Sequence, residues 1–251
     1  YAYDLNKNRC LSPEYASSVS GSTTNLYHIY YDAICDEIRF RAGTLDTTTK
    51  QSTMGFTDQY TDNSPQSYSI ANCQVIANGD SGKYQTQIAG RGSGNYVAIA
   101  VAKDSTTSKD VVCVVWYDAY ANNLKYSYVV DPITNWDSLK ADATANKWSS
   151  ATTIFAEGGE YCHIAVDKNN HIHIAAYAGN GDVKYAYLDT YSADSSYSEA
   201  ENSCIVDASG TVGEHLTLDV ALDSNGYSIP YIGYYTSAVK MPKYAYLVDT
   251  T

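Results

Sequence analysis

Lys184-Tyr185-Ala186-Tyr187-Leu188-Asp189 is written again as Lys243-Tyr244-Ala245-Tyr246-Leu247-Val248-Asp249. A close third copy reads Lys125-Tyr126-Ser127-Tyr128-Val129-Val130-Asp131. Arg39-Phe40-Arg41-Ala42-Gly43-Thr44-Leu45-Asp46 is a worn fourth, and the chain opens on a fifth, Tyr1-Ala2-Tyr3-Asp4. One phrase recurring at domain-fraction intervals marks a repeat architecture, and that decides how the remainder is read.

Outward from Lys184 the repeat unfolds strand by strand. Gly159-Glu160-Tyr161-Cys162-His163-Ile164-Ala165-Val166-Asp167 reads as a first strand, and Lys168-Asn169-Asn170 as a tight turn with Asn suited to positive φ. His171 to Ala178 alternates as a second strand. Gly179-Asn180-Gly181-Asp182 is the next turn. Val183 to Asp189 is the third strand, with Tyr185 and Tyr187 on one face and Ala186 on the other. After a polar stretch, Cys204-Ile205-Val206-Asp207 makes a fourth, outer strand.

The other units fit the same template. Gly213-Glu214-His215 begins the last, with Ser224-Asn225-Gly226 as its turn. Gly94-Asn95-Tyr96 begins the second, and Pro13-Glu14-Tyr15 the first. Four up-and-down strands per unit predict an all-β chain: a β-propeller of four-stranded antiparallel blades, with four to five repeats visible. A sandwich has no reason to repeat one phrase at equivalent places. The expected organisation is a single domain over residues 1–251, with units near 13–93, 94–158, 159–212 and 213–251. Residues 1–12 read as the remnant of a preceding blade or as a closing strand. The ring is either closed by its own termini or part of a larger one, and the third-strand phrase at Tyr1 favours the larger ring. The long connection Thr47 to Gly94 reads as an insertion or a disordered loop.

Composition narrows the function classes. Net charge is −12, a field that repels phosphate backbones and anionic lipid and argues against a nucleic-acid partner. No apolar run reaches the length of a membrane-spanning helix. There are 26 Tyr against 3 Phe and 3 Trp, which suits sheets with one wet face or large contact surfaces, since Tyr couples apolar area to a polar hydroxyl. The six cysteines show no CxxC or zinc spacing. Cys10, Cys73 and Cys204 read as equivalent, each following its unit's Tyr-x-Tyr phrase, and Cys113 and Cys162 read as buried thiols in apolar strands. The acidic, Ser/Thr/Tyr/Asn-rich composition leans toward an extracellular or cell-surface protein.

The pattern Gly-x-Tyr-x-x-(apolar)-Ala-(apolar)-Asp, a turn, (apolar)-x-Ile-x-Tyr-Tyr-Asp, a turn, and (apolar)-Lys-Tyr-Ala resembles a family of secreted bacterial propellers with tandem blades, distantly similar to sialidase-type propellers. Gly159–Asp189 and Gly213–Asp249 match most closely. The resemblance implies a propeller on secreted or cell-surface proteins and no single shared activity. The chain departs from it in its long third-to-fourth strand connections and few Trp.

Candidate site residues follow from the propeller reading. Loops leading into first strands, and those joining second to third strands, share the face around the axial channel mouth, where ligands are most often bound. Glu14, Glu160 and Glu214 read as one position in three units, with Asn95 in the fourth. They could form a carboxylate ring holding a cation or a sugar hydroxyl; the other reading has each accepting backbone N–H bonds where its strand begins. Asp32 and Asp118 follow Tyr31 and Tyr117 on the same face, where turn formation is the simpler role. Asp167-Lys168-Asn169 and Asp223-Ser224-Asn225-Gly226 lack the length and terminal Glu of a calcium loop, so a bound Ca²⁺ has no support. His163, His171 and His173 would have to converge to bind zinc.

No catalytic residue is assigned and no cofactor is expected. Arg39 and Arg41 share a face of one strand and cannot build an axial sialidase cluster, and the Ser-x-Asp-x-Gly-x-x-Trp turn is missing. No Gly-x-Ser-x-Gly elbow or phosphate loop occurs. The sequence favours a non-catalytic propeller that binds protein or carbohydrate. The alternatives are a self-assembling subunit of a surface layer or filament, and a sialidase-like or polysaccharide-degrading hydrolase.

Overall fold

The computed structural model describes residues 10–32, 37–49, 74–78, 96–134, 148–192 and 197–247. They form four antiparallel sheets. The first contains β1 (Cys10–Ser20), β2 (Thr23–Asp32), β3 (Glu37–Asp46) and β4 (Gln74–Asn78). The second contains β5 (Val97–Lys103), β6 (Asp110–Asp118), β7 (Asn123–Val130) and β8 (Thr152–Phe155). The third contains β9 (Glu160–Val166), β10 (Ile172–Tyr177), β11 (Val183–Leu188) and β12 (Ser203–Asp207), with the one-turn helix α1 (Glu199–Asn202) leading into β12. The fourth contains β13 (Val212–Leu222), β14 (Ser228–Thr236) and β15 (Met241–Tyr246). Each strand pairs with its successor in the chain, so every sheet is an up-and-down meander.

The first strands β1, β5, β9 and β13 pack in succession, β1 on β5, β5 on β9, and β9 on β13. That makes them the innermost strands of four successive blades. The chain is a β-propeller of antiparallel blades, three of them four-stranded, as the repeat predicts.

Strand chemistry records which blades are covered on both faces. In β6, Val111, Cys113 and Val115 pack toward the third blade while Val112, Val114 and Trp116 pack toward the first. A strand buried on both faces reads as an unbroken apolar run, and Val111 to Val115 is one. In β14, Ile232 and Tyr234 are buried against the third blade while Tyr231 is exposed, the period-2 alternation of a sheet with one wet face. The repeated phrase divides as its period requires: Ala186 packs toward the second blade and Tyr185 toward the fourth.

Buried carboxylates staple neighbouring blades. Asp110 at the start of β6 accepts bonds from Tyr27 Oη at 2.5 Å and Asn25 Nδ2 at 2.7 Å on the first blade, and pairs with the Lys103 ammonium. Burial pushes the Asp110 carboxyl up, but these donors outweigh it and hold it below its ordinary value. Asp167 does the same between the third and fourth blades. It accepts from Ser228 Oγ across the interface and from His171 Nδ1 at 2.8 Å, and its side chain is fully buried. Part of the acidic composition is therefore structural.

One expectation changes. Cys10 opens β1, the innermost strand of the first blade, whereas Cys204 lies in the outermost strand of the third. They are not equivalent, because the first blade begins directly after its preceding Tyr-x-Tyr phrase. Residues 1–9 and most of the Thr47 to Gly94 connection, Cys73 among them, lie outside the described residues, which include from that connection only the turn at 47–49 and β4. No helix among the described residues is long and apolar enough to cross a membrane.

Candidate functional site

The four inner strands begin around one cavity of about 410 Å³. Its lining includes Glu14, Tyr96, Tyr161, His163, His215 and Leu216, so every blade contributes. Three aromatic rings run across it from blade to blade. Tyr96 and Tyr161 lie 4.6 Å apart between centroids, and Tyr161 and His215 5.2 Å, both tilted. Tyr177 meets Tyr161 edge-on at 6.3 Å.

A recurring backbone device places two of these rings. Tyr161 and His215 both have φ of 51°, a conformation that non-glycine residues adopt at a cost of roughly 1–2 kcal/mol. Both sit in a β-bulge. Glu160 faces Tyr177 and His163 faces Ala175, so two residues on β9 oppose one on β10. Glu214 faces Tyr235 and Thr217 faces Gly233, giving the same two-against-one count on β13. Bulges of this kind re-aim a side chain beside a site. Gly159 prepares the first of them. It takes φ of +135°, and a Cβ there would lie 2.9 Å from Leu124 Cβ of the neighbouring blade.

The carboxylates divide into two levels. Glu160 and Glu214 do share a position, each opposite the last tyrosine of its second strand. Glu14 does not: it faces Ile29, beyond Tyr31, because the irregularity of the first blade falls between Leu11 and Glu14. Glu14 lines the cavity, where burial alone raises its carboxyl above the ordinary value. Glu160 and Glu214 stand beside Tyr177, whose hydroxyl is raised first by burial and then by these two charges. Glu160 also acts on Tyr96 and Tyr117. The three carboxylates thus gather at one mouth without forming a level ring.

Asp118 ends β6 at this mouth, and its carboxylate accepts the N–H groups of Tyr120 and Ala121 at 3.1 and 3.0 Å, which engages it in the β6–β7 turn. Asp32 ends β2 opposite Cys10, and its side chain is outside the described residues. Arg39 and Arg41 lie on β3. His171 and His173 converge on Asp167 rather than on the cavity, and His163 lines the cavity, where burial lowers its basicity. Asp167 Oδ1 accepts from the backbone of Asn169 and His171, and Asp223 Oδ1 from Asn225 and Tyr227, so both turns are closed by their own carboxylates. Among the described residues no group of three or more His, Cys, Asp or Glu could hold a metal ion.

The aromatic row was not among the residues singled out from sequence as binding residues. Its signal was the recurrence of Tyr or His directly after a strand-opening pair, Gly-Asn in the second unit and Gly-Glu in the last two. What the sequence hid was the bulge that turns Tyr161 and His215 toward the cavity. Tyr15, which matches them in sequence, sits in a regular ladder opposite His28 and stacks on it at 4.3 Å.

No family model and no curated protein sequence matches this chain. Solved structures do. The Aleuria aurantia fungal lectin, a six-bladed β-propeller described with a novel fucose recognition mode, superposes with a TM-score of 0.51 at 10% identity, over 97% of this chain and 62% of the lectin. The chain therefore spans less than two thirds of that protein's length. A GH43 endo-arabinanase from Bacillus licheniformis gives a TM-score of 0.44 at 11% identity, over 96% of this chain and 74% of its own. A GH62 hydrolase in complex with xylotriose gives 0.38 at 11% identity, over 100% and 73%. The likeness to the lectin is one of fold, and it agrees with the blade architecture.

Proposed function

We propose that this protein is a non-catalytic extracellular binding module whose axial cavity takes a glycan. The observation that carries this reading is the shared strain of Tyr161 and His215. Two aromatic residues held at φ of 51° in matching bulges line one cavity, and strain of this kind clusters where a side chain must be presented. Tilted tyrosine faces offer apolar area to the C–H face of a sugar ring, and their hydroxyls offer partners to its polar edge. The lectin among the structural neighbours supports the reading by showing that the fold accommodates sugar recognition. Glu14 is the one carboxylate among the described lining residues, with Glu160 and Glu214 at the rim, and glycoside hydrolysis would need two of these to flank the scissile bond.

Titration calorimetry against mono- and oligosaccharides tests this. At least one sugar is expected to bind, and Tyr161→Ala to weaken it about tenfold, the worth of one aromatic face. Affinity indifferent to Tyr161→Ala, or no affinity at all, refutes it. Turnover of aryl glycosides that vanishes in Glu14→Gln, Glu160→Gln or Glu214→Gln would make the protein a hydrolase instead.

A second reading, assembly through blade faces, is favoured by a separate observation. On the fourth blade Tyr231, Tyr244 and Tyr246 are exposed and stack in sequence, Tyr231 on Tyr246 at 5.6 Å and Tyr246 on Tyr244 at 6.2 Å. A strict monomer by light scattering at high concentration would exclude self-assembly through this face.

A further inference from the structure

We propose that the axial cavity selects a cationic sugar, one bearing a free ammonium group, over neutral and acidic ones. The inference rests on the cavity being the glycan site and adds the charge of its ligand.

Three features of the lining point the same way. The first is the aromatic row Tyr96, Tyr161 and His215, with Tyr177 edge-on behind it. A cation within about 6 Å of a tyrosine face is attracted by the ring quadrupole, the more so where water is excluded. The second is Glu14. It lines the cavity half-buried, and among the described residues none donates a hydrogen bond or lends a positive charge to it. A carboxylate in that situation gains most from a ligand that brings its own N–H donors and charge. The third is the absence of compensation. The described lining residues include no Lys or Arg, and burial keeps His163 on the uncharged side near neutrality. Glu160 and Glu214 add negative charge at the rim beside Tyr177, and the whole chain carries −12. Low-dielectric walls around one sign of charge focus the field into the cavity and concentrate the opposite ion there.

Aromatic faces alone would suit any pyranose. Their combination with a carboxylate that has no partner among the described residues, and with two rim carboxylates, distinguishes an amino sugar from its neutral counterpart. The ammonium would donate to Glu14 while the ring lies against Tyr161. An acidic sugar would meet three like charges.

The test uses the whole chain and three tetrasaccharides: fully deacetylated glucosamine, its fully N-acetylated counterpart, and neutral cellotetraose. Calorimetry at neutral pH, where a substantial share of the amine is still charged and burial keeps His163 neutral, is expected to show the deacetylated form binding at least about tenfold tighter than both others, the scale of one desolvated cation–π or ion-pair contact. Glu14→Gln should narrow that preference to within about threefold, and added salt should narrow it too. Glu160→Gln serves as a second variant, removing a rim charge without touching the lining. Equal or tighter binding of cellotetraose overturns the proposal, as does a preference that survives both substitutions. If neutral sugars bind through Tyr161 with no amine preference, only this inference falls. If none of the three sugars binds, it falls together with the glycan reading of the cavity.

Discussion

Tyr126 of β7 and Tyr244 of β15 stand at the same place in their blades, opposite Val115 and Gly233 of the preceding strands, and meet opposite environments. Tyr126 is 1% exposed and Tyr244 is 76% exposed. The third blade covers Tyr126, whose hydroxyl donates to the Tyr191 carbonyl at 2.6 Å. No described blade covers Tyr244. Tyr126→Ala is expected to cost about 3–5 kcal/mol, from lost burial, the cavity left and an orphaned carbonyl. Tyr244→Ala is expected to stay within about 0.5 kcal/mol. Denaturant midpoints of the two variants check this, and equal losses would show that the fourth blade's outer face is covered in solution.

Asp167 makes stability depend on acid. Burial pushes its carboxyl up, but Ser228, His171 and two backbone N–H groups overcome this and hold it at about 2. A carboxyl depressed in the fold contributes stability that is present above its unfolded value and lost as pH falls through the folded one. The window here runs from about pH 4 down to about 2, with a size on the order of 2 kcal/mol. Burial also lowers His173, so the fold favours its neutral form, and that share of stability fades as pH drops below its ordinary value of 6.5. Asp167→Asn should flatten the lower window and enlarge the upper one, because the Asp167 carboxylate partly supports the charged form of His173. Chemical denaturation across pH distinguishes the two, and an unchanged slope below pH 4 would remove Asp167 from the account.

Gly159 and Gly21 separate strain from crowding. Both have positive φ, +135° and +61°, but an added Cβ meets Leu124 at 2.9 Å at Gly159 and nothing within 4 Å at Gly21. Gly21→Ala should cost about 1 kcal/mol, the left-handed penalty alone. Gly159→Ala should cost at least about 2 kcal/mol and weaken ligand binding, because it shifts the bulge that presents Tyr161. Melting curves for both variants, with binding measured on Gly159→Ala, give the comparison.

The three described thiols should react in order of exposure. Burial pushes the Cys113 thiol up to about 12 and raises Cys162 further, and both are enclosed. Cys204 is exposed, though partial desolvation raises it as well. Alkylation read by peptide mass spectrometry should modify Cys204 in the native protein, faster at alkaline pH, and reach Cys113 and Cys162 only on unfolding. Native labelling of Cys113 at the rate of Cys204 would contradict the packing between the second and third blades.

The amino-acid sequence by itself determined the blade. The Lys-Tyr-x-Tyr phrase, its flanking Gly and Asn turns and the alternation along β14 follow from strand period and turn chemistry, which act over a few residues. The apolar run of β6 even marks a strand covered on both sides. The tertiary structure alone decided what identical words mean in different places. Tyr126 and Tyr244 share a phrase and differ in burial, because burial depends on which blade lies alongside. Glu14 matches Glu160 and Glu214 in the sequence but sits at a different depth, because the irregularity in the first blade falls earlier along its strand. Tyr161 and His215 line the cavity through two bulges, each setting two residues of an inner strand against one of the strand beside it, a register that the period of a strand does not reveal.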